Sequence, residues 1–493
     1  MTTLINILKR IVLFLCPVVL LLSSGCKKFL NVNQDPNNLV NAQAAQLLPT
    51  VEASIGVALG DDYYPFGNIW AQYFTQSAVA SQYKSIDAYL QVNTDFNYGW
   101  MHLYQSALIN DQLMITSSLN NPTTVQYLAL GYVLKAYTLQ LTTDAFGDIP
   151  MNEALQGFAN KNPVYDPQET VYDSIFSLLE QGKALMNNSD PNNPGAADLI
   201  FQGNMDNWIA FANTLELRAY LRLTQIDPTK AQAGVQALYA SNAGFLTTNA
   251  QMTYTSTGGN QNPFYIKEVS LNYTVNLAAS QTVIAAFVRN NDPRQFALFD
   301  TAGSASSGQV GPDTVAYLPQ GASILFTNKP TSPPSALVAG NPQDPNSALA
   351  PLFLISQSES NFLQAEAIAR GWGSGSSASS LFTAGIQASF AADGIPDSAA
   401  NYIANAPDAR FPAAAGQIQA IITQKYYAMC GSQGFEAWTE WRRTGYPTFF
   451  VPSAASGGRP VPLRFLYPQS ELTANLHYPG TVPESTPVWW DKH

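Results

Sequence analysis

The stretch that most narrows what this chain can fold into is Asn121 to Leu139. Asn121-Pro122-Thr123 is a helix start: an amide side chain able to cap the first turn, then a proline whose missing N–H costs nothing there. Behind it Val125, Leu128, Tyr132, Ala136 and Leu139 recur at spacings of 3, 4, 4 and 3, one face of a long helix. The same period predicts helices over Ala44–Ala58 (Ala44, Leu47, Leu48, Val51, Ile55, Ala58), Phe66–Ala80, Tyr98–Leu119, Pro167–Met186 and Asn204–Leu223. Pro49 moves the expected start of the first to about Leu48. Successive amphipathic helices of this length are similar to tetratricopeptide-type pairs, which bury one another's apolar faces, so the expected fold is mainly α.

From about 244 to 350 the composition shifts to Gly, Ser, Asn, Thr and Pro with short apolar runs, which reads as long ordered loops and small strands. Helical patterns return at Gln357–Arg370, Ser379–Ala392 and Gln417–Trp441. The segment from Pro447 to Asp491 is rich in Pro and aromatics and is expected to pack across those helices.

The front of the chain has a different logic. Lys9-Arg10, the apolar run Ile11–Leu22 and Ser23-Ser24-Gly25-Cys26 make an export leader, too short to span a bilayer well. Ending in cysteine, it resembles a bacterial lipoprotein signal, although Leu22 stands four residues before Cys26, where most such signals place Leu three before. Cys16 is the poorer choice, since cleavage there would leave only Ile11–Leu15 as the apolar run. The expected organisation is a signal peptide at 1–25, a lipidated tether at 26–42 containing Asp35-Pro36, and a body at 43–493. That body divides into a helical scaffold (43–243), a loop-rich insert (244–350) and returning helices and loops (351–493).

The formal net charge is -11 and becomes more negative once Lys9 and Arg10 leave with the leader. Without a basic run the chain is a poor partner for nucleic acid. Charged and aromatic residues are each 12% of the sequence, a balance that suits an uncharged, hydroxyl-rich ligand better than a phosphorylated one. After lipidation of Cys26 and loss of Cys16, Cys430 is the one remaining thiol, so the body folds without an internal disulfide. His102, His477 and His493 are isolated, and no His-Glu-x-x-His, Gly-x-Ser-x-Gly or phosphate-loop motif occurs. Glu436 and Glu440 lie four apart on one helix face, as a solvated edge or as partners of Arg442 and Arg443; Asp61 and Asp62 are adjacent.

Several stretches, taken together and in order, resemble the SusD/RagB family of surface nutrient-binding lipoproteins. They are Phe146-Gly147-Asp148-Ile149-Pro150 with Glu153-Ala154, Trp208-x-x-Phe211-Ala212-Asn213-x-Leu215-x-x-Arg218, Asp292-Pro293-Arg294, Ala365-Glu366-Ala367, Trp441-Arg442-Arg443-Thr444-Gly445-Tyr446-Pro447 and Tyr467-Pro468. The resemblance implies tetratricopeptide-like helical pairs supporting a loop-rich ligand-binding half. It also implies a non-enzymatic role at the outer membrane: capture of an oligosaccharide and its delivery to a SusC-like TonB-dependent transporter. No cofactor is expected; some members of that family bind calcium structurally, and the carboxylates and carbonyls for it exist here, but no EF-hand spacing marks a site. Residue chemistry leaves an oligopeptide ligand open, and the rival readings are a surface glycoside hydrolase and a protein-only helical-repeat adaptor. Lys27-Lys28 follows the lipidation site where surface-exported relatives often carry acids, so outward orientation rests on the resemblance. The motif residues themselves read as scaffold, Asn213 as a bond to a neighbouring loop and Arg442 and Arg443 as cations at a helix end.

Sugar rings pack their C–H faces on aromatic planes and need neutral or carboxylate partners for their hydroxyls. Two stretches offer both. One is Asp61-Asp62-Tyr63-Tyr64 with Tyr83, Lys84, Tyr89, Asn97 and Tyr98; the other runs from Ser256 to Tyr265 and on to Asn272 and Tyr273. The candidate ligand-binding residues are therefore Asp62, Tyr63, Tyr83, Tyr98, Asn260, Asn262, Phe264, Tyr265 and Tyr273, with Phe264 and Tyr265 expected to stand exposed on a loop.

Lipidation makes a direct prediction. Cys26→Ala should move the protein from the membrane fraction to the soluble one on cell fractionation; retention at the cell surface would contradict the anchor.

Overall fold

The computed structural model describes residues 43–301, 314–326 and 329–492; the leader, Cys26 and the tether to 42 lie outside these. Helix α1 (Ala44–Val57) starts ahead of Pro49 and carries it inside. Ala44, Leu47, Leu48, Val51 and Ile55 are all buried, and that continuous apolar face outweighs the one missing N–H. A π-helical turn, 58–62, leads into α2 (Tyr63–Trp70). The helix expected to run on to Ala80 stops at Trp70, and Phe74–Gln76 becomes strand β1.

The Tyr98–Leu119 pattern is interrupted by a second π-helical segment, 102–108, before α3 (Ile109–Ser118). Asn121 caps as its sequence suggests, accepting the Thr123 N–H at 3.1 Å. Helix α4 (Val125–Phe146) then runs through the centre of the molecule with nearly all its residues buried, and Gly147 at φ 84° ends it. It packs along α5 (Gln168–Leu185), as α6 (Met205–Arg222) packs along α7 (Pro228–Ala240). The tetratricopeptide-like pairing is present.

The loop-rich insert contains β2 (Ala250–Met252), α8 (Pro263–Ser270) and β3 (Leu277–Ala279), and is followed by β4 (Leu352–Ile355). Strand β1 pairs antiparallel with β3, and β2 with β4. Two short ladders thus fasten the insert to the helical scaffold. The return helices are α9 (Gln357–Ala369), α10 (Ala378–Ala392), α11 (Gln417–Ala428) and α12 (Gly434–Thr444). The single helix expected from Gln417 to Trp441 is divided, with Gly431 at φ 76° in the break. The division lets α12 lie directly on α2: a Cβ on Gly67 would fall 2.3 Å from the Phe435 nitrogen.

A buried ion network joins these helices. Arg222 of α6 grips Glu436 of α12 through two 2.8 Å bonds, bonds to Glu440, and reaches Asp144 of α4 at 3.2 Å. Arg443 of α12 is bidentate to Glu366 of α9 (2.8 and 2.7 Å) and to Glu440 (2.9 and 2.7 Å). Lys425 of α11 lies 3.3 Å from Glu440, and Arg218 of α6 lies 3.4 Å from Glu359 of α9. Glu436 and Glu440 are therefore no solvated edge, and Arg443 works through ion pairs in the core. Arg442 donates to the carbonyls of Asp144 and Leu463 at 2.8 and 2.9 Å, its guanidinium 3.6 Å from the Trp438 ring centroid. The C-terminal segment does cross the helices: Trp490 is buried and its Nε1 donates to Asp144 at 2.8 Å. Asn213 donates to the Gly244 carbonyl at 2.9 Å, the loop bond its sequence suggests.

One acid stands apart. Glu52 of α1 is fully buried, accepts the Leu199 N–H at 2.8 Å and so ties the 196–202 turn to the helix. Burial, reinforced by the neighbouring Asp198 carboxylate, pushes its carboxyl well above the usual range. The folded state thus binds this proton more tightly than the unfolded chain does. Its stabilisation is full below the ordinary glutamate range and is lost as pH rises towards the raised native value. Glu52→Gln keeps an oxygen for Leu199 without a charge to bury. Its Tm should match wild type near pH 4.5, then exceed it by a margin that grows from pH 5 to 8 in scanning calorimetry. Parallel curves would show that Glu52 does not titrate in this way.

Candidate functional site

The two stretches expected to bind sugar do meet. Helix α8 lies on the 58–62 turn, with Lys267 ion-paired to Asp61 and also donating to its carbonyl at 3.3 Å. Phe264 stacks on Tyr64 with ring centroids 4.1 Å apart, and the Tyr83 hydroxyl donates to Glu268 at 2.5 Å. The rings, however, are buried, Tyr63 against Phe435 and Phe465 rather than against α8. Phe264 is 0% exposed, Tyr63 1%, Tyr83 3% and Tyr265 8%, so the expectation of two rings displayed on a loop is corrected. The cause is local: Asn262 accepts the N–H groups of Phe264 and Tyr265, Pro263 follows at the first helical position, and the pair opens α8. Asn262 itself is buried, donating to the Ala350 carbonyl at 2.9 Å. Its role is capping.

Tyr98 and Tyr273 remain exposed, at 66% and 51%. Asp62 is partly buried and lies 2.7 Å from His102 Nδ1, joining the ends of the two π-helical segments. His102, isolated in the sequence, is thus paired in the fold. The Asp62 bond raises the imidazole's pKa, while burial outweighs the histidine's opposing pull and raises that of Asp62.

Beside this junction opens a cleft of about 480 Å³. One wall is α1 and the turn after it, presenting Ala53, Val57 and Asp61 at successive four-residue steps. The second is the 196–202 turn, where Leu199 and Gln202 line the opening. Asp198 holds that turn rigid, accepting the N–H groups of Ile200, Phe201 and Gly203 at 2.8–3.0 Å and the Trp208 Nε1 at 2.7 Å. The third wall runs from Met252 through Tyr254 to Asn260, Gln261 and Ile266. A 2.8 Å bond from the Thr255 N–H to the Asn260 carbonyl closes its loop.

The cleft's chemistry is neutral. Asp61 is matched by Lys267, Asp198 is spent on backbone, and what is left is one half-buried ring, Tyr254, among the amides of Gln202, Asn260 and Gln261 and the apolar Val57, Leu199 and Ile266. Tyr254 can sit against α1 because residue 56 is glycine; a Cβ there would be 2.8 Å from Met252 Cε and 3.2 Å from the Tyr254 hydroxyl.

Of the nine expected binding residues, Asn260 lines this cleft, Asp62 adjoins its Asp61, and Tyr98 and Tyr273 are not among its lining residues. Tyr254 was missed. It stands two residues before the Ser256–Tyr265 stretch, at the point where the β2 alternation runs out into Ser, Thr and Gly, and that position was its available signal. Glu436 and Glu440 lie in the core ion network and line no part of the cleft. Among the described residues no group of three or more His, Cys, Asp or Glu side chains is arranged to hold a metal ion, and no helix is long and apolar enough to cross a membrane.

Residues 36–468 match the SusD-like family described as starch-binding and associating with the outer membrane. No curated protein matches the chain by sequence. Among solved structures, it is similar to a chitin-binding protein at 25% identity and a TM-score of 0.77, over 92% of this chain and 100% of that one. A chitin-binding SusD homolog from Flavobacterium johnsoniae is 24% identical with a TM-score of 0.74, over 90% and 98% of the two chains. A SusD/RagB family protein from Bacteroides thetaiotaomicron is 23% identical with a TM-score of 0.77, over 91% and 99%. With the family match spanning most of its length and the fold shared nearly end to end, the chain belongs to the SusD-like family.

Proposed function

We propose that this protein is a non-enzymatic, lipid-anchored outer-membrane protein that captures an oligosaccharide in the cleft between α1, the 196–202 turn and the 252–266 wall. It then passes the ligand to a SusC-like TonB-dependent transporter. Family membership supports the outer-membrane setting and the nutrient-binding role. The single observation that carries the ligand class is the lining of the cleft: one aromatic ring, three neutral amides and two carboxylates already engaged, Asp61 by Lys267 and Asp198 by the N–H groups of its own turn and Trp208. Its volume falls within the usual range of small-ligand sites, about 300–1,000 Å³. The structural likeness to a chitin-binding protein makes an N-acetylated oligosaccharide the first ligand to try, since acetamido groups pair with the Gln202, Asn260 and Gln261 side chains as hydroxyls do.

The proposal separates two kinds of aromatic residue. Tyr254→Ala should weaken chitin-tetrasaccharide binding about tenfold, the loss of one ring contact worth about 1.4 kcal/mol, with little change in Tm. Phe264→Ala should instead destabilise the fold by about 3–5 kcal/mol, as expected for a buried ring. Calorimetric titration and thermal melting read both. Wild-type affinity in the Tyr254 variant would remove this cleft from the binding site.

A further inference from the structure

A second cavity, of about 530 Å³, lies on the helical scaffold where α3, α4, α5 and the loop after Pro150 meet. It shares no lining residue with the cleft above. We propose that it is a second ligand site, selective for a carboxylate flanked by hydroxyls, as on a uronic-acid residue of a glycan, with Lys135 holding the carboxylate.

Lys135 is the one charged residue lining the cavity among the described residues. It is half-buried, and its ammonium makes one hydrogen bond, to Gln112 Oε1 at 2.8 Å. An ammonium carries three donors, so two are left for a ligand. Behind it, Asp111 is 1% exposed and neither of its carboxyl oxygens is hydrogen-bonded. Burial pushes that carboxyl well above its usual range against the pull of Lys135, and lowers the lysine's own pKa against the pull of Asp111. A partly desolvated cation facing a neutral cavity selects an anion, because a charge-assisted hydrogen bond is about twice as strong as a neutral one.

The walls add the hydroxyl preference. Gln112 donates to Thr116 at 3.1 Å and Gln181 to Ser177 at 3.1 Å, so each amide is held in place by the residue one turn away on its own helix. The Gln181 carbonyl oxygen is left to accept from a ligand hydroxyl. Leu139, Met151 and Leu178 supply an apolar floor for a ring's C–H face. Leu155, in the lip, is held at φ 65°, a left-handed conformation that a branched side chain rarely adopts. No aromatic residue lines the cavity among the described residues, so recognition rests on the charge and the hydroxyl partners rather than on stacking.

The test is calorimetric titration of the detergent-solubilised full-length protein with trigalacturonate and with its fully methyl-esterified form. The acid should bind saturably and the ester at least about tenfold more weakly, since esterification removes the charged acceptor. Lys135→Gln should lose a similar factor, Lys135→Arg should retain binding, and Tyr254→Ala should leave it unchanged. Because Lys135 has a buried acid behind it, a second variant avoids any effect on folding: Gln181→Glu, at an exposed position, places a like charge on the wall and should also weaken the acid. Absence of trigalacturonate binding, equal affinity for acid and ester, or wild-type affinity in both Lys135→Gln and Gln181→Glu would overturn the proposal.

Discussion

Everything else in this molecule leans on the buried ion network around Arg222, Glu436, Glu440 and Arg443. These four side chains, with Asp144, Glu359, Glu366 and Lys425, couple helices that are up to about three hundred residues apart in the chain. Such a network is a demanding way to hold a core. The charges cost several kcal/mol each to desolvate, and that cost is recovered only when every member finds its partners. Arg222 does so with three carboxylates and Arg443 with two, mostly through paired bonds. Losing one partner would strand the others in a medium that cannot solvate them, at about 3–5 kcal/mol. Helices α4, α6, α9, α11 and α12 are thereby fixed in one arrangement, and the loops can vary around them.

That rigid centre explains how an insert with little regular structure can form a defined cleft. The insert is tied to the scaffold by the β1–β3 and β2–β4 ladders, by α8 on the 58–62 turn, and by Asn262 reaching the Ala350 carbonyl. The facing wall is tied equally firmly, with Glu52 holding the 196–202 turn to α1 and Asp198 filling it from within. The walls are therefore preformed. Their charges are consumed in building them, and what they present to a ligand is neutral. In the second cavity Lys135 keeps spare donors and no acid shares the lining. One chain thus displays two surfaces of different selectivity on opposite kinds of scaffold, irregular loops and paired helices.

The helices were legible because their apolar spacing is long and regular, and Asn121-Pro122 announced its own cap. The breaks were less so. Nothing in the spacing of Phe66 to Ala80 says that the helix ends at Trp70, because the ending is imposed by β1 finding β3 about two hundred residues away. Around the candidate site, composition singled out the two aromatic-rich stretches, and they do pack together. What failed was the assignment of faces. Asn262-Pro263 is a helix start by the same rule that identified Asn121-Pro122, and applying it there turns Phe264 and Tyr265 inward. Glu436 and Glu440, four apart, look like a solvated edge until Arg222 and Arg443 arrive from other parts of the chain. Long-range partners of this kind leave no local trace.

The claim on which the functional account rests is that ligand is held over Tyr254, between Gln202 and Asn260. The most direct measurement is a crystal structure of the protein soaked with a chitin oligosaccharide. A sugar ring lying on the Tyr254 face, with its polar groups bonded to Gln202, Asn260 or Gln261, is the predicted result. A sugar ordered instead over the exposed rings of Tyr98 or Tyr273, with the cleft empty, would contradict it.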